Sequence, residues 1–410
     1  MIFAFAWRYF KARKSTNAIN IIAWVSMVAI IVITAAFIIL LSVFNGFEGL
    51  VKSLYSSFYA DMRVVPVEGK KFHISEAELA KMKKIPGIRG YSLMMEEKAL
   101  LQNGEVQAIV YLKGVDEHYL EVSGVGEKII RGKFDLGTAD QPAIVLGSGV
   151  ENALGLYSEQ NLYPITAYLF KPGINMNVVD PLQAFSADNL ATTGTFFIQQ
   201  DIDNKYAITS LSFMKSMLGM EPDEYGSIEF SLRNPDEEGR VKRELQAIFG
   251  SKALVETRYE QNKSLYTVMS VEKYAIYGIL TLMLVVAAFT LIGSLSMLVL
   301  EKREDIQVLK SLGANRNLIY RIFLSEGMLL GLIGAFSGTL IALLICWAQV
   351  KFQLIPIQGG TFLISYYPVE VRVNDVLVVL ATVLFIALAA SWLPARKAAA
   401  TVVARVGKEE

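Results

Sequence analysis

Four stretches of this chain depart from the mixed apolar and polar pattern of the rest. Residues 18–44, 274–300 and 376–393 carry no charged side chain, and 322–350 carries only Glu326. At 1.5 Å per residue each is long enough as a helix to cross a hydrocarbon layer of about 30 Å, so each predicts a transmembrane span. Four such runs exceed what a soluble core absorbs. Glu326 falls near one end of its run, where a carboxylate is expected to reach water. Small residues recur along the same run as Gly327, Gly331, Gly334 and Gly338, a spacing that lets helix backbones approach closely in lipid. This third span reads as a packing helix.

Between the first two spans, residues 45–273 change to short strand-like and helix-like runs with turn signals. Ser75 followed by Glu78 predicts a capping box opening a helix over Leu79 and Met82. Asn103 and Gly104 sit between two strand-like runs and predict a hairpin. Asn234, Pro235, the stripe Val241, Leu245 and Ile248, and the closing Gly250 predict another helix. The expected fold class is a membrane protein, four transmembrane α-helices with a large α+β domain between helices 1 and 2. Orientation follows from the short flanks, because cytoplasmic flanks carry the excess of Lys and Arg. Arg8, Lys11, Arg13 and Lys14 precede span one, Lys302, Arg303, Lys310, Arg316 and Arg321 separate spans two and three, and Arg396, Lys397, Arg405 and Lys408 follow span four. The loop 351–375 holds only Lys351 and Arg372. Both termini (1–17 and 394–410) and the 301–321 connection are therefore expected in the cytoplasm, and 45–273 outside it. The first run is too long for a signal peptide's apolar core of about 7–15 residues.

Composition narrows the function. The 410 residues are 53% hydrophobic, and 39 basic side chains balance 39 acidic ones, which removes the counterion-release argument for nucleic acid. One cysteine, Cys346, excludes an internal disulfide framework. Two histidines, His73 and His118, both in polar segments, leave almost nothing for a histidine metal site, so no metal site is expected. No hydrolase elbow, HExxH or phosphate-cradling loop is present, and the glycines at 124 and 126 lack the spacing of one. No catalytic residue is nominated.

Three further segments invite a role. Residues 1–13 interleave Phe3, Trp7 and Phe10 with Arg8 and Lys11, which suits an interfacial helix in the headgroup layer. The low-charge stretch 171–195 presents Ile174, Met176, Val178, Val179, Leu182 and Phe185, and either packs on its own domain or protrudes to a partner. Residues 301–321 predict a short amphipathic helix with Ile306, Leu309 and Leu312 along one side and Gly313 as its C-cap. Such a helix lies in the headgroups or docks into a cytoplasmic partner.

The run SMLVLEKREDIQVLKSLGANRNLIYRIFLSEGMLLGLIGAFSG closely resembles the second-span, coupling-helix and third-span signature of FtsX/MacB-type ABC permeases. RYFKARKS, WVSMVAI and LSVFNGFE resemble, within that group, the lipoprotein-releasing permeases of the LolC/LolE type, as do IVLGSGVENALGL and LPARKAAA. The resemblance spans essentially the whole chain. It implies a MacB-like periplasmic core domain and a non-enzymatic inner-membrane subunit without its own cofactor, ATP and Mg being bound by a cytoplasmic ABC ATPase dimer. It further implies a second permease chain, same or sister, an acylated lipoprotein substrate, a periplasmic carrier and contact with membrane lipid. Glu301, Lys302, Arg303, Glu304, Ile306, Leu309, Leu312 and Gly313 would couple to the ATPase, while Val43, Phe44, Asn45 and Phe47 would stand at the lipid mouth. The 171–195 loop would contact the carrier. Burying acyl chain is worth about 0.8 kcal/mol per methylene, so three chains of roughly 15 carbons cannot be exposed to water and must pass between apolar surfaces.

Overall fold

The computed structural model describes residues 17–156, 164–171, 184–357 and 366–400. The expected interfacial helix over the first thirteen residues, the tail beyond Ala400, and Ile174, Met176, Val178, Val179 and Leu182 lie outside the described residues. Its main helices are α1 (Asn17–Phe58), α2 (Glu76–Met82), α3 (Ser148–Ala153), α4 (Leu211–Leu218), α5 (Glu238–Phe249), α6 (Lys263–Glu301), α7 (Arg303–Ser311), α8 (Arg316–Phe352) and α9 (Val373–Ala400). The strands are β1 (Met62–Pro66), β2 (Phe72–His73), β3 (Ile88–Asn103), β4 (Val106–Val115), β5 (Ile129–Gly132), β6 (Ala143–Gly147), β7 (Ile165–Phe170), β8 (Phe185–Phe196), β9 (Tyr206–Ser210), β10 (Glu224–Tyr225), β11 (Ser227–Leu232) and β12 (Ala253–Thr257). The described residues form two compact units, one of 17–50, 267–357 and 366–400, the other of the described residues between 51 and 266.

In the first unit, α1, α6, α8 and α9 are each long and apolar enough to cross a membrane. The apolar runs of α1 and α6 sit inside much longer helices, because the flanking residues 45–58 and 263–273 contain no proline. The shared core joins Phe37, Ile38 and Leu41 of α1 to Leu284 and Leu291 of α6, Phe323 and Leu330 of α8, and Val383 and Ala387 of α9. All four glycines of α8 face a neighbouring helix. A Cβ on Gly331 would lie 2.5 Å from that of Ala387, and one on Gly338 would lie 2.6 Å from the Ile31 carbonyl oxygen. Gly327 meets Ser391 in the same way and Gly334 meets Ile30, so the stripe serves α9 with one half and α1 with the other. Glu326 corrects the sequence reading. The helix begins ten residues earlier at Arg316, which puts Glu326 almost three turns inside, and it is only 1% exposed.

The second unit is α+β. Its ten-stranded sheet runs β12-β1-β11-β3-β4-β9-β6-β8-β5, and β7 pairs with both β3 and β8. That double pairing closes β3, β4, β9, β6, β8 and β7 into a ring. The ring encloses Leu101, Leu112, Ile144, Leu146, Ala167 and Leu190 and is packed by α3 and α4 through Val150, Met214 and Leu218. The first half of β3, with β11, β1 and β12, forms a second lobe whose core takes Met82 from α2 and Val241, Leu245 and Phe249 from α5. Local signals explain the elements. Ser75 and Glu78 make the reciprocal capping box of α2. Asn234 caps the single 3-10 turn that leads into α5, and Gly250 closes α5 at φ +59°. The β3–β4 turn falls one residue later than the sequence suggests, since Asn103 still pairs with Val106 and Gly104 takes φ +58° beside Glu105. Asn103 instead donates from Nδ2 to the Leu154 carbonyl at 3.0 Å.

Several ionisable groups are buried in this unit, Lys113, Glu229 and Asp203 among them. Lys113 of β4 donates to Glu229 of β11 at 2.9 Å, with its amine 4.8 Å from the centre of the Phe58 ring and 5.0 Å from that of Tyr119. Burial opposes the ammonium, but the Glu229 carboxylate, with Tyr119 and Glu96, outweighs it and holds Lys113 above its usual range. Asp203 is raised from the ordinary 3.8 to about 6, by burial, against amide hydrogen bonds from Ile198 and Gln199 that pull it down. A raised carboxyl binds its proton more tightly folded than unfolded, so stability falls as pH climbs from 3.8 through about 6. Asp203→Asn is therefore expected to stabilise the domain at pH 7.5 by about 2 kcal/mol. The gain should vanish as the pH approaches 4, and denaturation at the two pH values reads it.

Candidate functional site

The polar ends of three membrane helices meet in the first unit. Spans two and four both start where span one ends, so residues at those boundaries come to one depth. Asn45 of α1 donates from Nδ2 to Asp375 Oδ2 of α9 at 2.6 Å. The Lys273 amine of α6 donates to Asn45 Oδ1 at 3.0 Å and to Asp375 Oδ2 at 3.1 Å. The three groups satisfy one another. Beside them opens a cleft of about 460 Å³ lined by Leu41, Ser270, Lys273, Tyr274, Tyr277, Asp375 and Val378. Its walls are mostly aromatic and aliphatic. Tyr277 stacks at a tilt on Phe37, 5.0 Å between ring centres, and its hydroxyl hydrogen-bonds Thr382 Oγ1. The result is an apolar slot between α1, α6 and α9 with a neutralised ion pair at its edge, the composition a lipid chain with a polar head requires.

The expected mouth residues belong to this end, and their surroundings differ. Asn45 is fully buried in the triad, and Val43 and Phe44 are half-buried. Phe47 lies edge-on to Tyr367 at 5.7 Å, Glu48 accepts from Arg372 at 2.8 Å, and the Ser42 carbonyl accepts from the Glu370 amide at 2.9 Å. Gly46 is bare because a Cβ there would run into the Pro368 carbonyl oxygen. The LSVFNGFE segment is thus clasped by residues 366–372, the approach to α9. Lys273, Asp375 and Tyr277 were not nominated from sequence. Defining spans by absence of charge placed the first two just outside them, yet both stand immediately before a span start.

Breaking the triad has a predictable cost. Asp375→Ala removes the acceptor shared by Lys273 and Asn45 and is expected to destabilise the membrane unit by about 1–2 kcal/mol, the low end because both charged side chains keep some solvent contact. The charge-exchanged pair Lys273→Asp with Asp375→Lys should recover most of the loss seen with Asp375→Lys alone. Thermal denaturation in detergent measures both.

At the other end of α6, the chain turns through α7. Ile306 is buried in the membrane unit's core together with Ala395 and Ala398 of α9, and Leu309 is half-buried. Leu312 does not join them. It is 79% exposed, as is Val308 at 58%, so the outward apolar pair is Val308 and Leu312, four residues apart. The spacing explains the correction. Steps of three residues drift by about 60° each on a 100° helix, which carries Leu312 off the face that Ile306 buries. Arg303 and Glu304 are exposed, Glu301 and Lys302 half-buried, and Lys302 pairs with Asp305 at 3.0 Å. Gly313 takes φ +96°, its amide donating to the Lys310 carbonyl while the Ala314 amide donates to that of Leu309, and Asn315 then caps α8 through the Leu318 amide. Two helices therefore join through a stop and a start with nothing slack between them.

In the second unit, Phe185 is 40% exposed and lies edge-on to Phe170 at 5.7 Å; of the loop residues singled out, it alone is described. His73 and His118 are exposed beside Asp223 and Glu121, at 3.1 and 3.2 Å. Glu121 holds His118 above its usual range.

Comparison with known proteins gives matches to two families. The MacB-like periplasmic core domain matches residues 23–248, and the FtsX-like permease C-terminal matches residues 277–403. The chain is 26% identical over 407 residues to the lipoprotein-releasing system transmembrane protein LolC of Neisseria meningitidis serogroup B, covering 96% of this chain and 95% of that one. It is 24% identical over 416 residues to LolE of Haemophilus influenzae, covering 97% and 96%. Among solved structures, the periplasmic region of MacB from Actinobacillus actinomycetemcomitans is 14% identical, covers 53% of this chain and 98% of its own, and has a TM-score of 0.35.

Proposed function

We propose, because the chain belongs to the MacB-like periplasmic core domain family, that it is the permease subunit of an ATP-driven complex that lifts lipid-anchored proteins out of a membrane. The observation that carries the reading is likeness to LolC and LolE along the whole chain, through spans, domain and elbow alike. The cleft beside Asn45, Lys273 and Asp375 supports it, being an apolar slot at the level where an acyl anchor enters from the outer leaflet. Substrate would leave that slot for the periplasmic domain and then for a carrier. Energy arrives from a cytoplasmic ATPase through α7, whose outward Val308 and Leu312 offer the partner an apolar grip. The termini and α7 lie in the cytoplasm and the second unit in the periplasm, in keeping with the Lys and Arg flanks.

The test has two parts. Gentle detergent extraction should co-purify an ABC ATPase and a second permease chain, with acylated protein trapped when ATP is withheld and released to a carrier when it is supplied. Cysteines at Ser311 and Glu105 should label from opposite faces of the membrane. Labelling from the same face, or cargo without acyl chains, would overturn the assignment.

A further inference from the structure

The second unit holds an amphipathic cavity, set apart in its lining residues from the cleft between the membrane helices. Its floor is apolar, formed by Met95 of β3 and Leu218 at the end of α4, 3% and 6% exposed, with Met220 and Phe170 beside them. At about 500 Å³ it falls in the range of small-ligand sites. Two methionines give a lining that adapts to a flexible chain. The rim carries Lys70, Lys71 and Lys98 against Glu97 and the Glu224 that pairs with Lys71, an excess of one positive charge. Lys70 already holds Glu97, at 2.6 and 2.8 Å, so the lip has the geometry to seat a carboxylate. Lys71 is taken by Glu224 at 2.6 Å, and the Lys98 amine stands 5.5 Å from the centre of the Tyr111 ring.

A second hollow of about 480 Å³ shares Gly69, Lys70, Glu97 and Lys98 with the first, and its further lining includes Arg63, Glu96, Tyr111 and Ser227. The apolar hole therefore opens, across a cationic lip, into polar surroundings. An acyl tail fits the first and a charged head the second. A neutral lipid would bring the cationic lip no counter-charge, and a cationic amphiphile would be repelled by it.

We propose that this cavity binds a single long acyl chain ending in a carboxylate, its tail over Met95, Leu218, Met220 and Phe170 and its head on Lys70 and Lys98. The site lies within one unit and needs neither ATPase nor cargo, so it stands or falls apart from the transport reading. The full chain in lipid nanodiscs is irradiated with a palmitate carrying a diazirine near its tail, and adducts are mapped by peptide mass spectrometry. The expected result is labelling of the peptides that contain Met95 and Met220, competed by unmodified palmitate. It should drop about fivefold in the Lys70→Glu, Lys98→Glu double variant, whose positions are on the surface. The diazirine alcohol of the same length should label the site correspondingly weakly. Adducts confined to the membrane helices, an unchanged double variant, or equal labelling by the alcohol, as from a groove for neutral lipid or an apolar peptide, would each overturn the proposal.

Discussion

Glu229→Ala is expected to cost the periplasmic domain about 3 kcal/mol, at the low end of the roughly 3–5 kcal/mol that follows removal of one partner from a buried pair. The lysine left behind is 1% exposed, its amine beside the Phe58 and Tyr119 rings, and it loses the carboxylate it donated to. Glu96 remains close enough to favour the ammonium, which is why the low end applies. A domain of ordinary stability, about 5–15 kcal/mol, would keep only part of its margin. Replacing both partners together, Lys113→Met with Glu229→Leu, should cost distinctly less than Glu229→Ala, because no unpaired charge then stays inside. Denaturant unfolding of the full chain, read by protease resistance of the domain, gives the comparison. Equal losses in the single and double variants would mean that packing, and not the charge, carries the effect. The pair's own contribution is constant through neutral pH, since a lysine held above its usual range loses that support only once pH rises beyond the unfolded value of 10.5.

Aspartate at both Val308 and Leu312 is expected to abolish ATP-driven release while leaving the membrane unit folded. Both side chains are exposed on α7 and its C-cap, so replacing them leaves the core untouched. An anchoring apolar contact is worth about 2 kcal/mol, roughly thirtyfold in affinity for the ATPase. Ile306→Asp supplies the contrast, for it drives a carboxylate into the buried core of the membrane unit and should lower the melting temperature of that unit itself. Co-purification, ATPase stimulation and lipoprotein release, measured on the same preparations, separate these outcomes. A double variant that still binds and stimulates the ATPase would place α7 in the headgroup layer with no role in coupling.

The spans were legible because a hydrocarbon layer imposes a length and forbids charge, which single residues reveal without knowledge of neighbours. The capping box of α2 and the start of α5 were legible for a similar reason, being complete within a few positions. Burial of Glu326 was not, because the helix start at Arg316 and the helices around it decide its exposure. The same limit hid the Asn45, Lys273 and Asp375 triad, whose members are separated by 228 and 102 positions along the chain. Nor did strand order follow from any local pattern. The ring depends on β7 reaching both β3 and β8, and the parallel pairs β4–β9 and β6–β8 join segments far apart in sequence.

Sixteen residues of β3 run through both lobes of the periplasmic domain, pairing with β11 along the first half and with β4 and β7 along the second. Neither half can fray without stripping the other of its neighbour's hydrogen bonds. The domain should consequently melt all at once, so a blow to either lobe travels the full length of the beam, and no halfway species should accumulate for a protease to find.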